Sequence, residues 1–209
     1  MTFVSCDCPL PTAIGSLTAV TCNENLAQIV KIIFQRKQAT PSFPAQDGTV
    51  GGAGLLASWT PFFAAVDATK VQGTPEFSEF VIPQVEGITY GGDDNSTIDG
   101  RQLISGASTV RATGAFLGLP AANLKELKEF SCENALTVYM VNEFGKVIGS
   151  SPDGTKFEGI EITTFFIGDG GNEGKNTFDK TTFGFNFKYG WRDNLAIVTG
   201  TDFSGRSLG

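Results

Sequence analysis

The clearest pattern in the chain lies near its end. Phe183, Phe185, Phe187, Tyr189 and Trp191 occupy every second position, with Gly184, Asn186, Lys188 and Gly190 between them. Period two marks a strand with one buried face. Residues 183–191 are therefore expected to form a strand whose aromatic side, Phe183, Phe185 and Phe187 above all, lies in the core. Residues 194–200 return beside it, with Leu195, Ile197 and Thr199 alternating. Residues 157–167 predict a long strand in which Ile160, Ile162, Thr164 and Phe166 alternate against Glu161, Thr163, Phe165 and Ile167. Residues 135–142 and 146–149 predict a hairpin around Glu143-Phe144-Gly145. Residues 109–117 predict a strand with Val110, Ala112, Gly114 and Phe116 on one face, and short strands are expected at 79–81 and 87–90. The run 28–36, QIVKIIFQR, fits both a helical stripe (Leu26, Ile29, Val30, Ile33) and a strand face (Val30, Ile32, Phe34). Its density of β-branched residues favours the strand.

One stretch has helical spacing. After Pro120, the residues Ala121, Leu124, Leu127 and Phe130 form an apolar stripe over 121–131, with Lys125, Glu126, Lys128 and Glu129 largely away from it. Two stretches have no clear period. Residues 1–25 read as an irregular arm with Pro9, Pro11 and Gly15. Residues 37–75 read as a long loop punctuated by proline and glycine, yet they carry Leu55, Leu56, Trp59, Phe62 and Phe63. Such groups either cover the domain's own core or pack on a neighbouring subunit, and these five are the candidate subunit contacts. The expected organisation is an arm at 1–25 and one β-rich domain at 26–209 with an apolar loop at 37–75. The fold class is mainly β (α+β), a sandwich or barrel-like subunit with one short flanking helix.

Composition narrows the chemistry. The chain has 209 residues, 41% hydrophobic and 18% charged, which fits a globular protein able to bury a core. Glycine (26) and phenylalanine (18) are abundant and histidine is absent, which excludes His-dependent triads and His-ligated metal sites within the chain. The net charge of −7 argues against a Lys/Arg grip on nucleic acid. No Lys or Arg precedes Lys31, so no secretory signal is expected, and the most apolar run, 54–66, is too short and too interrupted to span a membrane. Of the four cysteines, Cys6, Cys8 and Cys22 fall in the arm and Cys132 stands alone after the helix. Thiolate metal binding remains open beside plain thiols or an arm disulfide. The loop from Asp93 to Asp99 superficially resembles a calcium loop. Counted from Asp93, however, Ile98 and Ile104 occupy the positions that need Gly and Glu, so a solvated turn is expected. Phosphate-loop, dinucleotide and serine-elbow motifs are absent. The carboxylates Glu158 and Glu161, three apart on an expected strand, should face opposite sides and form no acid–base pair. The chain is expected to be non-enzymatic and to need no cofactor.

Three stretches carry a family resemblance: ITYGGDDNSTIDGRQLISG, LKEFSCENALTVYMVNEFGKVIGS and TFFIGDGGNEGKNTFDKTTFGFNFKYGWRDNLAIVTGTDF. Over residues 29–203 the sequence resembles virion structural proteins of tailed phages and prophages, and the order of elements is most similar to tail tube proteins. The resemblance implies a β-sandwich with a flanking helix, self-assembly into hexameric rings that stack into a tube, and contacts with other tail proteins. It also implies DNA passing through the lumen without specific binding, residence in the virion tail, and synthesis in the host cytoplasm with no membrane partner. It further implies long hairpins along the lumen, for which 157–167 with 181–190 is the candidate. Two alternatives stay open. One is a capsid or head-decoration protein. The other is a non-viral β-sandwich binding module, which would show Trp59, Trp191 or Tyr189 on an exposed platform.

Overall fold

Eleven strands and two short helices follow one another in the computed structural model, which describes residues 26–38, 43–92, 102–172, 174–175 and 178–209. In chain order they are β1 (Ile29–Arg36), α1 (Leu56–Ala64), β2 (Val71–Gly73), β3 (Ser78–Val81), β4 (Gly87–Tyr90) and β5 (Leu103–Ala107), then β6 (Val110–Leu117), α2 (Ala121–Phe130), β7 (Leu136–Asn142), β8 (Val147–Ser150), β9 (Ile160–Ile167), β10 (Lys180–Phe187) and β11 (Leu195–Val198). A single 3-10 turn, Gly205–Ser207, lies near the C-terminus. Every pairing between these strands is antiparallel. The chain is thus mainly β, as its alternation predicts.

The main sheet closes on itself. Its path runs β11-β8-β7-β9-β10-β6-β3, and β7 pairs along its other edge with β1. The segment after β1's second partner completes the ring. β2 pairs with β1, and the amides of Thr74 and Phe77 donate to the carbonyls of Ile32 and Val30, 2.9 Å each. The same strand direction then continues into β3, which pairs with β6. Closure leaves few free edges in the body, which is how antiparallel folds avoid unwanted strand pairing.

Two apolar clusters fill this frame. Inside the ring lie Ile32, Phe34, Val138, Met140, Ile160, Ile162, Phe165, Phe183, Phe185 and Phe187, with α2 covering one side through Leu124, Leu127 and Phe130. The second cluster lies on the outer face of β1 and β7. It joins Ile33, Tyr139 and Val141 to Phe43, Trp59, Val71, Phe157, Val198 and Leu208. β7 contributes to both, so all seven of its residues are buried. At Gly114 the ring of Phe183 presses on β6 so closely that a Cβ there would sit 2.7 Å from Cζ. The C-terminal segment is held down by Lys31, whose buried Nζ donates to the carbonyls of Arg206 (3.3 Å) and Gly209 (3.1 Å). Burial lowers the Lys31 pKa, and Glu76 partly counters it.

The expected elements differ from the observed ones at four places. First, the segment read as a loop, 37–75, holds α1 and β2, so the chain has a second helix. Leu55, Trp59, Phe62 and Phe63 do recur at helical spacing, but Pro61 inside the helix and the flanking glycines hide it. Secondly, β10 ends at Phe187, because Gly190 adopts φ +76° in a turn and Tyr189 points to solvent. Thirdly, the alternation of β9 changes phase after Ile162. Asn186 pairs with Thr164 but Phe187 with Ile162, a bulge that puts Phe165 and Ile167 inside and leaves Phe166 57% exposed. Fourthly, β5 has no counterpart in the sequence reading. The arm at 1–25, with Cys6, Cys8 and Cys22, and the loop from Asp93 to Asp99 lie outside the described residues.

Phe185 is 1% exposed, between the Phe187 and Phe80 rings. Phe185→Ala is expected to lower the unfolding free energy by roughly 3–5 kcal/mol in denaturant titration. Asn186→Ala, on the other face of the same strand, is expected to change it by less than about 0.5 kcal/mol. Equal effects would contradict this register.

Candidate assembly interface

The five apolar residues of the 55–63 region divide sharply. Trp59 is fully buried in its own subunit. Its ring lies 4.4 Å from Phe43 and 5.1 Å from Tyr139 (centroid to centroid), and its Nε1–H donates to the Ala53 carbonyl at 2.8 Å. Phe62 and Phe63 are half-buried against the same cluster. Leu56 is exposed, and its amide donates to Asp202 Oδ1 at 2.9 Å, which satisfies one of the free N–H groups of the first turn. Leu55 and Phe62, with Pro44, Val50, Gly51 and Pro61, line an open apolar groove of about 470 Å³ beside the helix. The helix therefore roofs its own core and offers only its outer rim to another molecule.

A different element is uncovered on both faces. Among the described residues β4 and β5 pair only with each other, and all of their residues are exposed except Ala107, which is half-buried. The register places Tyr90 opposite Leu103 and Thr89 opposite Ile104. Ile88 (52%), Tyr90 (57%), Leu103 (53%) and Ile104 (77%) face solvent. The base of this ribbon is fixed to the body: the Ser108 amide donates to the Glu86 carbonyl at 2.8 Å, and the Glu86 amide to Ser108 Oγ at 3.0 Å. β3 leads directly into β4 and β5 directly into β6, so the ribbon continues the β3–β6 pair beyond the sheet. A lone two-stranded hairpin is marginal in water, and large aliphatic and aromatic groups on both its faces are costly to leave there.

The remaining candidates are not built as reactive sites. Glu158 and Glu161, expected on opposite faces, line the same two concavities, because Glu158 lies before β9 in an isolated bridge with Ser150. Burial first, and then Glu161, raises the Glu158 pKa. Hydrogen bonds from Lys37 and Lys188 lower that of Glu161, the Lys188 contact being 2.9 Å. This carboxylate is thus committed to two ion pairs. Trp191 stacks on Phe187 at 4.4 Å and 13°, with the Arg192 guanidinium 5.9 Å from its ring centre. Tyr189 is 82% exposed and lines one concavity with Trp191, Lys188 and Glu161. Cys132 is an exposed free thiol. Among the described residues no group of three or more metal-ligating side chains gathers, and no helix is long and apolar enough to cross a membrane.

The outward face of β9 and β10, the hairpin expected along a lumen, holds its charges in ion pairs, Glu161 with Lys37 and Lys188 and Lys180 with Glu79. It presents Thr163, Thr164, Phe166 and Thr182, with Thr113 and Arg111 on neighbouring β6. The glycine-rich loop between them is bridged where Gly171 pairs with Lys180.

No protein-family model matches the chain, and no curated protein matches it. Among solved structures, it is similar to a chain in a cryo-EM structure of the anti-feeding prophage (AFP) baseplate, 6-fold symmetrised. The TM-score is 0.36 and the identity 8%, covering 87% of this chain and 99% of that one.

Because Trp59 belongs to the subunit's own core, Trp59→Ala is expected to destabilise the isolated chain by roughly 3–5 kcal/mol, seen as a lower midpoint in denaturant. Leu56→Ser, at the exposed rim, is expected to leave that midpoint within experimental error. A Trp59→Ala chain as stable as the parent would return this side chain to the list of inter-subunit contacts.

Proposed function

We propose that the chain is a non-enzymatic structural subunit of a phage tail tube. Copies join side by side in rings, six to a ring in the arrangement the sequence resemblance implies, and the rings stack into a conduit for DNA. The observation that carries this reading is the β4–β5 ribbon, which exposes Ile88, Tyr90, Leu103 and Ile104 and finds no cover among the described residues. A subunit that completes its fold only against a neighbour is made for assembly. The resemblance of the three sequence stretches to tailed-phage virion proteins names the class of assembly. Leu55 and Phe62, which line the groove beside α1, and the exposed Leu56 supply a second apolar contact, between or within rings.

Charge supports a conduit. A chain of net charge −7 repels phosphate and lacks the excess of Lys and Arg that would hold DNA by counterion release. The other two readings lose ground on particular side chains. A binding module would place Trp59, Trp191 or Tyr189 on an exposed platform; Trp59 is buried and one face of Trp191 is covered by Phe187, which leaves Tyr189 as the one exposed ring of the three. A major capsid protein would need a long spine helix, whereas the longest helix among the described residues has 10 residues.

Electron microscopy of the purified chain over a rising concentration series, and of its parent particle, tests the reading. Stacked rings with a central channel are expected. An icosahedral lattice would overturn it, as would a chain that stays monomeric and is absent from any particle.

A further inference from the structure

We propose that the cleft between the start of β9 and the turn after β10 binds a neutral saccharide through a single sugar ring, with Tyr189 as the stacking surface and the Glu158 carboxylate as the main hydrogen-bond acceptor. The inference goes beyond the assembly reading and does not depend on it.

The walls of the cleft are fixed by backbone. Ser150, at the end of β8, and Glu158 exchange amide-to-carbonyl hydrogen bonds of 2.8 and 2.9 Å, and the Ser151 amide donates to the Asn194 carbonyl at 2.7 Å. The turn at 188–195 supplies the rest. There the amides of Trp191, Asp193 and Leu195 donate to the carbonyls of Lys188, Gly190 and Arg192. Gly190 permits this turn: its φ is +76°, and a Cβ on it would sit 2.7 Å from Asp193 Oδ2. Trp191 is held by its stack on Phe187. Walls set before a ligand arrives leave little ordering entropy to lose on binding. The space they enclose is about 210 Å³ and open to solvent, which suits one sugar ring and no folded partner.

The groups in the cleft select the ligand class. The half-buried Glu158 carboxylate makes no side-chain hydrogen bond or ion pair among the described residues, and burial and Glu161 raise its pKa. Its acceptor sites are therefore unmet. Glu161 beside it is held by two cations, Lys37 and Lys188. Two lysines thus stand with two carboxylates, and the nearby Asp153–Lys156 pair closes on itself at 3.3 Å. With its charges balanced, the cleft favours neither a cation nor an anion. It offers a strong acceptor at Glu158, the Asn194 side-chain amide, and the ring of Tyr189, 82% exposed. A sugar ring satisfies both kinds of group. Its hydroxyls donate to the carboxylate in charge-assisted bonds, and its C–H face covers the tyrosine. An aromatic surface with a few convergent polar groups is the usual composition of a small-molecule site. One exposed ring beside one cleft makes a subsite on a structural subunit, and the chain as a whole need not be a binding module.

Saturation-transfer difference NMR on the full chain tests this, with methyl β-D-glucopyranoside, methyl β-D-galactopyranoside and methyl α-D-mannopyranoside as probes. At least one is expected to bind with a Kd in the millimolar range, with transfer strongest to the C–H protons of one ring face. Tyr189→Ala and Glu158→Gln are each expected to weaken binding by about tenfold or more. Phe144→Ala, which removes a different ring that is 73% exposed, is expected to leave it unchanged. None of the three side chains is fully buried, so each variant should keep the parent's melting temperature. Should Glu158→Gln lower it, Tyr189→Ala decides alone. No transfer to any of the three glycosides overturns the proposal. So does binding that survives Tyr189→Ala, or binding that Phe144→Ala weakens as much. A cationic probe, Nα-acetylargininamide, that binds at this cleft more tightly than every glycoside overturns the neutral-ligand assignment. The outcome separates from the tube reading. Sugar binding by a chain that forms no tubes removes the tube and keeps the subsite, and tubes from a chain that binds no sugar do the reverse.

Discussion

The fold depends on covering strand β7 on both faces. Its residues alternate Val138 and Met140 into the closed sheet against Tyr139 and Val141 on the outside. A strand apolar on both sides needs a second layer, and the chain supplies one from distant segments: Phe43, Trp59 on α1, Phe157, and Leu208 near the C-terminus. The polar groups drawn in with them are satisfied, as buried ones must be. The Tyr139 hydroxyl donates to Gln35 Oε1 at 3.0 Å, and Gln35 Nε2 to the Thr69 carbonyl at 2.9 Å. That second layer is why α1 is a structural roof first and a contact surface only at its edge.

With β7 enclosed and the sheet closed through the 71–77 segment, the two apolar clusters are complete within the described residues. The ribbon differs in that nearly all of its residues are exposed. It continues the β3–β6 pair in the same register and exposes Ile88, Tyr90, Leu103 and Ile104. The functional reading therefore follows from what the closed fold leaves over, and not from a pocket.

Much of the architecture was legible in the sequence because one-sided burial writes a period of two. Phe183, Phe185 and Phe187 fixed β10, and Leu124, Leu127 and Phe130 fixed α2. The pattern misled where local geometry broke it. Tyr189 and Trp191 continue the alternation of β10 beyond its end, past the turn at Gly190. The bulge after Ile162 exchanges Phe165 for Phe166. The spacing of Leu55, Trp59, Phe62 and Phe63 was helical, but Pro61 masked it, and the side chain that seals Trp59 in, Phe43, is remote in sequence. β5 was missed because its residues are exposed on both faces, so no burial pattern records it. The same exposure makes it the informative element for the proposed assembly, since both apolar clusters form without it.

Hydrogen exchange on free and assembled protein tests the central claim most directly. Amides of β7 and α1 are expected to be protected in both states, since their cover comes from the subunit itself. Amides of β4 and β5 are expected to exchange rapidly in the free subunit and to become protected on assembly. Protection of the ribbon already complete in the monomer, or absent in the assembly while α1 gains it, would contradict the account.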